Sequence, residues 1–190
     1  MKILKIILII VAVIIVLFLG IALFLPSTSY VERSTTINVP ADSIFTIVVD
    51  YNYYREWNPW SKMDPDAQGE ISGPISQVGQ KWSWQSDIIG SGTLTTEEIK
   101  PGKYIESKLE FTAPQEMQSK DIWKFEPGEN GTNVTWINEA ELGYPVERYF
   151  GLMMDSMLGG DFESGLNNLK NLAENKYGSE NHSTADSLMN

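Results

Sequence analysis

The carboxylates and the tyrosine hydroxyls are the side chains of this sequence that have the chemistry for acid–base catalysis. The sequence holds no cysteine and a single histidine, His182, in a polar C-terminal stretch. Catalysis by histidine or by a cysteine nucleophile is therefore not expected, because each needs its side chain inside a folded site. An enzymatic role would have to use Asp, Glu or Tyr side chains.

Two pairs of glutamates have the spacing of neighbours on a predicted strand. Adjacent strand residues point to opposite faces, so Glu97 and Glu98 do not cooperate, whereas Glu139 and Glu141 share a face. Glu139 is therefore one candidate acid or base, and Tyr104 is a second. The alternative is that these glutamates belong to an ordinary solvated sheet face, since carboxylates are seldom buried.

Metal ions and cofactors are not expected from the motifs present. Asp64, Asp66 and Glu70 lie close together, but their spacing departs from the EF-hand calcium loop. The phosphate-binding patterns Gly-x-x-x-x-Gly-Lys and Gly-x-Gly-x-x-Gly do not occur, and Gly90-Ser91-Gly92 is typical of a turn. We therefore predict neither a metal site nor a cofactor site.

The aromatic and methionine side chains are more informative than the polar ones. Trp82 and Trp84 are two residues apart on a predicted strand and project from one face. Methionine is favoured at adaptable binding surfaces, and several crowd one predicted helix. Such a set forms either an ordinary core or the lining of a cavity for an elongated apolar ligand. The predicted lining residues are Trp60, Trp82, Trp84, Leu109, Phe111, Met117, Trp123, Phe125, Trp136, Met153 and Met157.

Hydrophobic periodicity predicts the elements that position these residues. Residues 30–39 are β-branched and partly alternating, which predicts a strand, and short helices are predicted over 40–48 and 51–57. Residues 67–141 show short alternating runs between turn signals, of which Asn130-Gly131 is the strongest, and these runs predict about six antiparallel strands.

One long helix is predicted over residues 144–176. Gly159-Gly160 is expected to kink or break this helix, and residues 177–190 are predicted to form a disordered polar tail. The predicted order of elements is typical of an α+β fold, in which a curved antiparallel sheet wraps around a long C-terminal helix. The helical period that should cover the sheet runs through Val146, Phe150, Met153, Met157, Phe162, Leu166, Leu169 and Ala173.

The first 26 residues predict a membrane anchor. The run from Ile3 to Leu25 contains one charge, Lys5, and no proline. A helix of that length rises about 35 Å, which is enough to cross a hydrocarbon core about 30 Å thick. A cleaved signal peptide would have a shorter apolar region followed by an Ala-x-Ala pattern, and the sequence has neither. We therefore predict one transmembrane helix in residues 1–26, a linker in 27–29 and one domain in 30–176.

Charge predicts how the chain is oriented and which partners it avoids. Lys2 and Lys5 lie on the N-terminal side of the apolar run, so the positive-inside rule predicts a cytoplasmic N-terminus and an extracytoplasmic domain, periplasmic or on the cell surface. The net charge of −11 disfavours nucleic acid and anionic lipid headgroups as partners. The sequence predicts no particular protein partner.

Four segments carry a family pattern: Val31–Pro40, Asp50–Asp64 with Trp57-Asn58-Pro59-Trp60, Gly131–Trp136 and Gly160–Lys170. Together they resemble the START-like, or SRPBCC, superfamily, whose members are often described as polyketide cyclases or dehydrases. The resemblance spans residues 30–174 and implies the helix-grip fold, with a hydrophobic ligand cavity between the sheet and the long helix. It does not specify the function, because the superfamily includes lipid carriers, cyclases, hydrolase-like members and stress-response proteins.

Three functional hypotheses follow. The first is a non-enzymatic, membrane-anchored domain that binds a lipid or other hydrophobic small molecule in that cavity. The second is a cyclase-like or hydrolase-like enzyme using the same cavity, which predicts a buried carboxylate with a raised pKa. The third is a protein-interaction or envelope-stress module with a packed interior and an exposed apolar patch. The aromatic side chains and the missing catalytic set favour the first hypothesis.

Overall fold

Seven strands and several helices form in the order that the sequence patterns indicate. The computed structural model describes residues 2–187, with side chains described through Gly178. The helices are α1 (Lys2–Ala22), α2 (Ala41–Val49), α3 (Tyr54–Trp57), α4 (Trp60–Met63) and α5 (Val146–Ser187), with a 3₁₀ turn at Tyr51–Tyr53. The strands are β1 (Thr28–Ile37), β2 (Gln68–Ser72), β3 (Lys81–Gln85), β4 (Ser91–Lys100), β5 (Tyr104–Ala113), β6 (Met117–Gly128) and β7 (Gly131–Glu141).

The strands form a single antiparallel sheet in the order β1-β7-β6-β5-β4-β3-β2. Asn130-Gly131 makes the predicted hairpin, in which Gly128 of β6 pairs with Gly131 of β7. Gly131 has a φ of 116°, a conformation that glycine adopts without a steric penalty. The predicted α+β fold, a curved antiparallel sheet with a long C-terminal helix, is confirmed.

One face of the sheet, called here the inner face, carries the core. Alternation places Trp82 and Trp84 of β3 on this face, and Trp123 and Phe125 of β6 continue it across the sheet. The short helices between β1 and β2 cover the inner face together with α5, and Trp57 of α3 is fully buried there.

The apolar residues of α5 form two stripes rather than the single stripe predicted. From Val146 to Phe162 the helix turns by about 100° per residue, so that the two stripes lie about 160° apart. The first is called the exposed stripe because its side chains are between 52% and 59% exposed, and the second is called the buried stripe because it packs on the sheet. The exposed stripe is Val146, Phe150, Met153 and Met157, and the buried stripe is Phe162, Leu166, Leu169 and Ala173.

The helix α5 continues through Gly159 and Gly160, where a kink or a break was expected. The guanidinium of Arg33 crosses α5 at this point, donating to Asp155 Oδ1 at 2.7 Å and to Glu163 Oε1 at 2.9 Å. A Cβ at Gly159 would collide with that guanidinium, so the glycine serves a close approach and not a bend.

The helix α5 also runs past residue 176 to Ser187, into the segment predicted to be a disordered tail. Extending an existing helix by one residue is far easier than nucleating a new one, and this segment contains no proline. Residues 188–190 lie outside the described residues, so the prediction is not addressed there.

The helix α1 is long and apolar enough to span a membrane. Its residues from Lys2 to Leu19 are all exposed, and Ala22, at its C-terminal end, is buried against the domain. The domain therefore holds α1 by one end.

Candidate functional site

The inner face of β6 carries one carboxylate among aromatic side chains. Asp121 shares this face with Trp123 and Phe125, and all three are buried. It lies in a central strand, with Ser107 of β5 on one side and Asn138 of β7 on the other. Because a buried carboxylate is rare and needs compensation, Asp121 marks the candidate functional site.

Two indole groups hold the carboxylate of Asp121. Trp136 Nε1 donates to Oδ1 at 2.6 Å, and Trp123 Nε1 donates to Oδ2 at 2.9 Å. Burial raises the pKa of Asp121 to about 6, and the two indole hydrogen bonds offset part of that rise. A carboxyl group with this pKa changes its protonation state near neutral pH, which is the property required of a general acid or base.

Two tyrosines that follow α2 approach Asp121 across a small enclosed space. The hydroxyl of Tyr51 lies 2.9 Å from Thr96 Oγ1 and 3.1 Å from Ser107 Oγ. Burial raises the pKa of Tyr51 to about 12 and raises the pKa of Tyr54 as well. Both hydroxyls therefore stay protonated at neutral pH. The space between these side chains and Asp121 has a volume of about 10 Å³, close to the minimum that holds one water molecule.

Aromatic rings fill the interior around Asp121. Trp136 stacks on Trp123 with ring centroids 4.5 Å apart and on Phe162 of α5 at 4.0 Å. Trp57 contacts Trp123 edge-on at 5.3 Å, and its Nε1 is buried without a hydrogen-bond partner among the described residues. The helix approaches this closely because Gly165 faces Trp136, where a Cβ would come within 2.7 Å of Trp136 Cζ3.

A second aromatic group continues the inner face toward β3. Trp82 and Trp84 stack at 4.6 Å, and Phe111 of β5 contacts Trp84 edge-on at 5.5 Å. The ring centroid of Tyr54 lies 4.5 Å from that of Trp82 and 5.1 Å from that of Trp57. Tyr54 therefore joins the two groups into one aromatic surface from β7 to β3.

Most of the predicted lining residues lie on or against this surface. Trp60, Leu109 and Phe111 are half-buried against the core, and Met117 at the start of β6 is 40% exposed. The arrangement is that of a core whose apolar surface reaches solvent at one end. The fully packed members of the predicted set are Trp82, Trp84, Trp123, Phe125 and Trp136.

Four predicted residues do not face the interior. Met153 and Met157 belong to the exposed stripe, and Met154 is the neighbouring methionine that packs against the core. Glu139 and Tyr104 lie on the outer face of the sheet, because each is at a register position opposite to the buried residues of its strand. The predicted acid–base candidates are therefore not part of the interior site.

Tyr104 instead belongs to an outer-face ion pair. Its hydroxyl donates to Glu106 Oε2 at 2.5 Å, and Lys120 Nζ lies 2.8 Å from Glu106 Oε1. The ammonium of Lys120 lowers the pKa of Glu106, while burial and the Glu106 carboxylate raise the pKa of Tyr104. Neither group titrates near neutral pH, so this cluster is structural in character.

Two further features bear on ligands. Among the residues with described side chains, no cluster of three or more His, Asp or Glu is placed to hold a metal ion. An open depression of about 430 Å³ lies over β2, β3 and β4, and apart from Trp84 its lining is mainly polar, including Gln68, Ser83 and Thr93. Its polar lining does not match the predicted apolar cavity, and with only about 10 Å³ beside Asp121 the interior formed by the described residues does not hold that cavity open.

Comparison with known families places the domain. The sequence from residue 29 to residue 174 matches the family described as polyketide cyclase / dehydrase and lipid transport. The chain belongs to this family. The matched segment runs from β1 to the end of the buried stripe and includes Asp121, so the candidate site lies within the family domain. No curated protein matches the sequence.

Solved structures share the fold of this family domain at low sequence identity. The Zhui aromatase/cyclase from Streptomyces sp. R1128 has 19% identity and a TM-score of 0.57, covering 77% of this chain and 94% of that one. The di-domain aromatase/cyclase StfQ of steffimycin biosynthesis has 13% identity and a TM-score of 0.61, covering 78% of this chain and 51% of that one. A Chromobacterium violaceum protein, CV1439, has 14% identity and a TM-score of 0.59, covering 77% and 97%. These similarities establish the fold and leave the chemistry open.

Proposed function

We propose that this family domain binds a lipid or other hydrophobic small molecule on the inner face of its sheet, while α1 anchors the domain at a membrane. The observation that carries the proposal is the apolar surface that continues from the packed aromatic groups to solvent through half-buried Leu109 and Phe111 and exposed Met117. Covering such a surface with an apolar ligand contributes about 25 cal/mol per Å². With Lys2 and Lys5 on the cytoplasmic side, the domain lies outside the cytoplasm.

Binding requires the interior side chains to move. Small-molecule sites usually enclose about 300–1,000 Å³, whereas the space beside Asp121 is about 10 Å³. A ligand that enters from the Phe111 end has to displace the stacked pair Trp82 and Trp84 or lift α5 from Trp136. The unpartnered Nε1 of Trp57 offers a hydrogen-bond donor to a polar group on that ligand.

The test compares two arginine substitutions at adjacent residues of β5. The full chain is purified from membranes, and bound lipids are extracted and measured by mass spectrometry, with Phe111→Arg as the test variant and Thr112→Arg as the control. Phe111 faces the inner side, and Thr112 is exposed on the other face. Lipids around α1 are common to all three proteins, so only the difference between variants reports on the domain.

We expect wild type and Thr112→Arg to carry a defined lipid or small molecule that Phe111→Arg loses. Adding that molecule to lipid-depleted protein should change tryptophan emission, because entry alters the surroundings of the Trp82–Trp84 pair or of Trp136. Equal lipid content in all three proteins, with unchanged emission across fatty acids and phospholipids, would overturn the proposal.

Asp121 supports a second candidate function, a cyclase-like or hydrolase-like reaction on the same inner face. A buried carboxylate with a pKa of about 6 has the protonation behaviour expected of a general acid or base. The test is Asp121→Asn, which should abolish conversion of the bound molecule, followed by mass spectrometry, while leaving its retention unchanged. Unchanged conversion by the variant, or no conversion by wild type, would exclude this function.

A further inference from the structure

The exposed stripe of α5 is an apolar surface without a partner in the domain. Val146, Phe150, Met153 and Met157 are each more than half exposed, and they point about 160° away from the stripe that packs on the sheet. Four large apolar side chains in one helical row are more than the scattered exposure normal for a soluble surface. The row begins at the first residue of α5, where the chain meets α1.

The start of α5 is fixed to α1 at the depth of the apolar run. Tyr149 donates its hydroxyl to Phe18 O at 2.6 Å, and their rings stack at 4.6 Å. Tyr144 donates to Leu19 O at 2.9 Å, and Arg148 donates to Ala22 O at 3.1 Å. Along the axis of α1, Phe18 lies about 6 Å from Ala22, toward the N-terminus of the helix.

The apolar run of α1 continues past these contacts, and Leu23 and Phe24 are themselves strongly exposed. The tyrosines that reach Phe18 and Leu19 are thus placed at the level where tyrosine is enriched in membrane proteins, the boundary between lipid and water. The surface of a bilayer that surrounds α1 therefore lies at the first turns of α5. No other protein is needed to bring these turns to the membrane.

The charges near the stripe indicate which property of the bilayer is recognised. Arg148 is the only basic residue between Val146 and Met157, and it is engaged with α1. Glu147 and Asp155 are acidic, and the chain carries a net charge of −11. Attraction to anionic headgroups is therefore not available, and contact must come from the apolar side chains themselves.

We propose that the exposed stripe lies in the interface of the same bilayer that α1 spans, so that the N-terminal half of α5 is a second, in-plane membrane contact. This inference rests on the anchoring role of α1 in the proposed function. A second copy of the chain or a partner protein on the stripe is the competing occupant, and the experiment separates it from lipid.

The experiment uses the full chain, which contains no cysteine, so each introduced thiol is unique. Single variants Phe150→Cys and Met157→Cys carry a fluorescent label in phosphatidylcholine nanodiscs that hold one chain each. Ile88→Cys, on an exposed loop between β3 and β4, is the aqueous control, and Ile10→Cys in α1 is the lipid control. Quenching by lipids with a nitroxide on the acyl chain is measured for all four.

We expect quenching at Phe150 and Met157 to exceed quenching at Ile88 by at least about twofold. Replacing part of the phosphatidylcholine with anionic phosphatidylglycerol should leave that quenching equal or lower. If the label at Ile10 is quenched but the labels at Phe150 and Met157 behave as in water, α1 spans the bilayer and the exposed stripe does not contact it. That result would overturn the inference and leave the anchor in place. A second preparation holds two chains per nanodisc. Labels that are water-like with one chain per nanodisc and shielded with two would assign the stripe to a protein interface, and this also overturns the inference.

A water-like label at Ile10 would show that α1 does not span the bilayer, which removes both the anchor and the inference. Retention of a hydrophobic molecule by the inner face is measured independently, in the comparison of Phe111→Arg with Thr112→Arg. Failure of ligand binding and failure of the membrane contact are therefore distinguishable.

Discussion

Each half of α5 carries a row of four apolar side chains, and the two rows have opposite environments. In the C-terminal half, the buried stripe packs on the sheet, where Phe162 stacks on Trp136 and Leu169 is fully buried. In the N-terminal half, Phe150 and Met157 are 58% and 59% exposed. The two halves meet at Gly159-Gly160. The row that faces the core continues past this point through Leu158 and Met154, which pack partly buried against the core, whereas the exposed stripe on the other side of the helix ends at Met157.

The difference shows that apolar content does not define which partner a helix covers. Each half has an amphipathic period, which is sufficient to predict a helix. The partner is decided by the rotational phase and by what lies opposite. The buried stripe faces the aromatic inner face, whereas the exposed stripe faces away from the domain and, by the inference above, lies against the bilayer. A helix of this kind can serve two apolar surroundings at once.

The largest expected effect separates the two halves by the same substitution. Phe162→Ala should destabilise the protein by about 4 kcal/mol, because it leaves a cavity beside Trp136. Phe150→Ala should change the free energy of unfolding in detergent by less than about 0.5 kcal/mol, since its side chain is exposed. Denaturant unfolding monitored by tryptophan fluorescence measures both, and equal losses would contradict the division of α5.

Much of this architecture could be predicted from the sequence, because it depends on local periodicity. Alternation gave the strands, and the Asn130-Gly131 turn sets the β6–β7 register that places Trp123 opposite Trp136. The sequence pattern does not single out Asp121, although this residue lies two positions before Trp123 and so on the same face of β6. The two-residue spacing indicates that Asp121 faces the same side as Trp123. It indicates a buried carboxylate only if β6 is a central strand, which the sequence pattern does not show.

Other features of the site depend on tertiary packing, which the sequence pattern does not contain. The approach of Tyr51 to Ser107 joins elements that are distant in the chain, and the closure of the interior depends on whether summed side-chain volumes fill it. The sequence places Met153 and Met157 in the cavity because the N-terminal half of α5 has two apolar rows and hydrophobicity does not distinguish them. The row that packs on the core runs through Met154 and Leu158.

The second prediction concerns Asp121, the buried carboxylic acid on the inner face of the sheet. The pKa of Asp121 is about 6 in the folded protein against an ordinary 3.8, so between these values the folded state binds the proton more tightly than the unfolded chain. The stabilisation from this group is complete at low pH and is lost as the pH rises through about 6, a change of up to about 3 kcal/mol. The stability advantage of wild type over Asp121→Asn should therefore shrink between about pH 4 and pH 7.

An outer-face carboxylate provides the opposite sign as a control. The ammonium of Lys120 lowers the pKa of Glu106, so the stabilisation from Glu106 is present above its unfolded pKa and is lost as the pH falls. The advantage of wild type over Glu106→Gln should therefore grow as the pH rises. Urea unfolding at a series of pH values measures both differences, and parallel trends would contradict the burial of Asp121.

The smallest expected effect tests the boundary between the halves. Gly160 has open space where a Cβ would lie, so Gly160→Ala should stabilise the helix by about 0.5–1 kcal/mol. Gly159→Ala gains the same helix propensity but collides with the Arg33 guanidinium, which must then leave Asp155 and Glu163. Gly159→Ala should therefore be less stable than Gly160→Ala.

The interaction of Arg33 with α5 is electrostatic and exposed, so added salt should narrow the difference between the two glycine variants. Thermal unfolding at low and high salt measures this stability difference. In an Arg33→Met background, Gly159→Ala and Gly160→Ala should be equally stable. Equal stability of the two variants in the wild-type background would show that the contact of Arg33 with α5 does not require glycine at position 159.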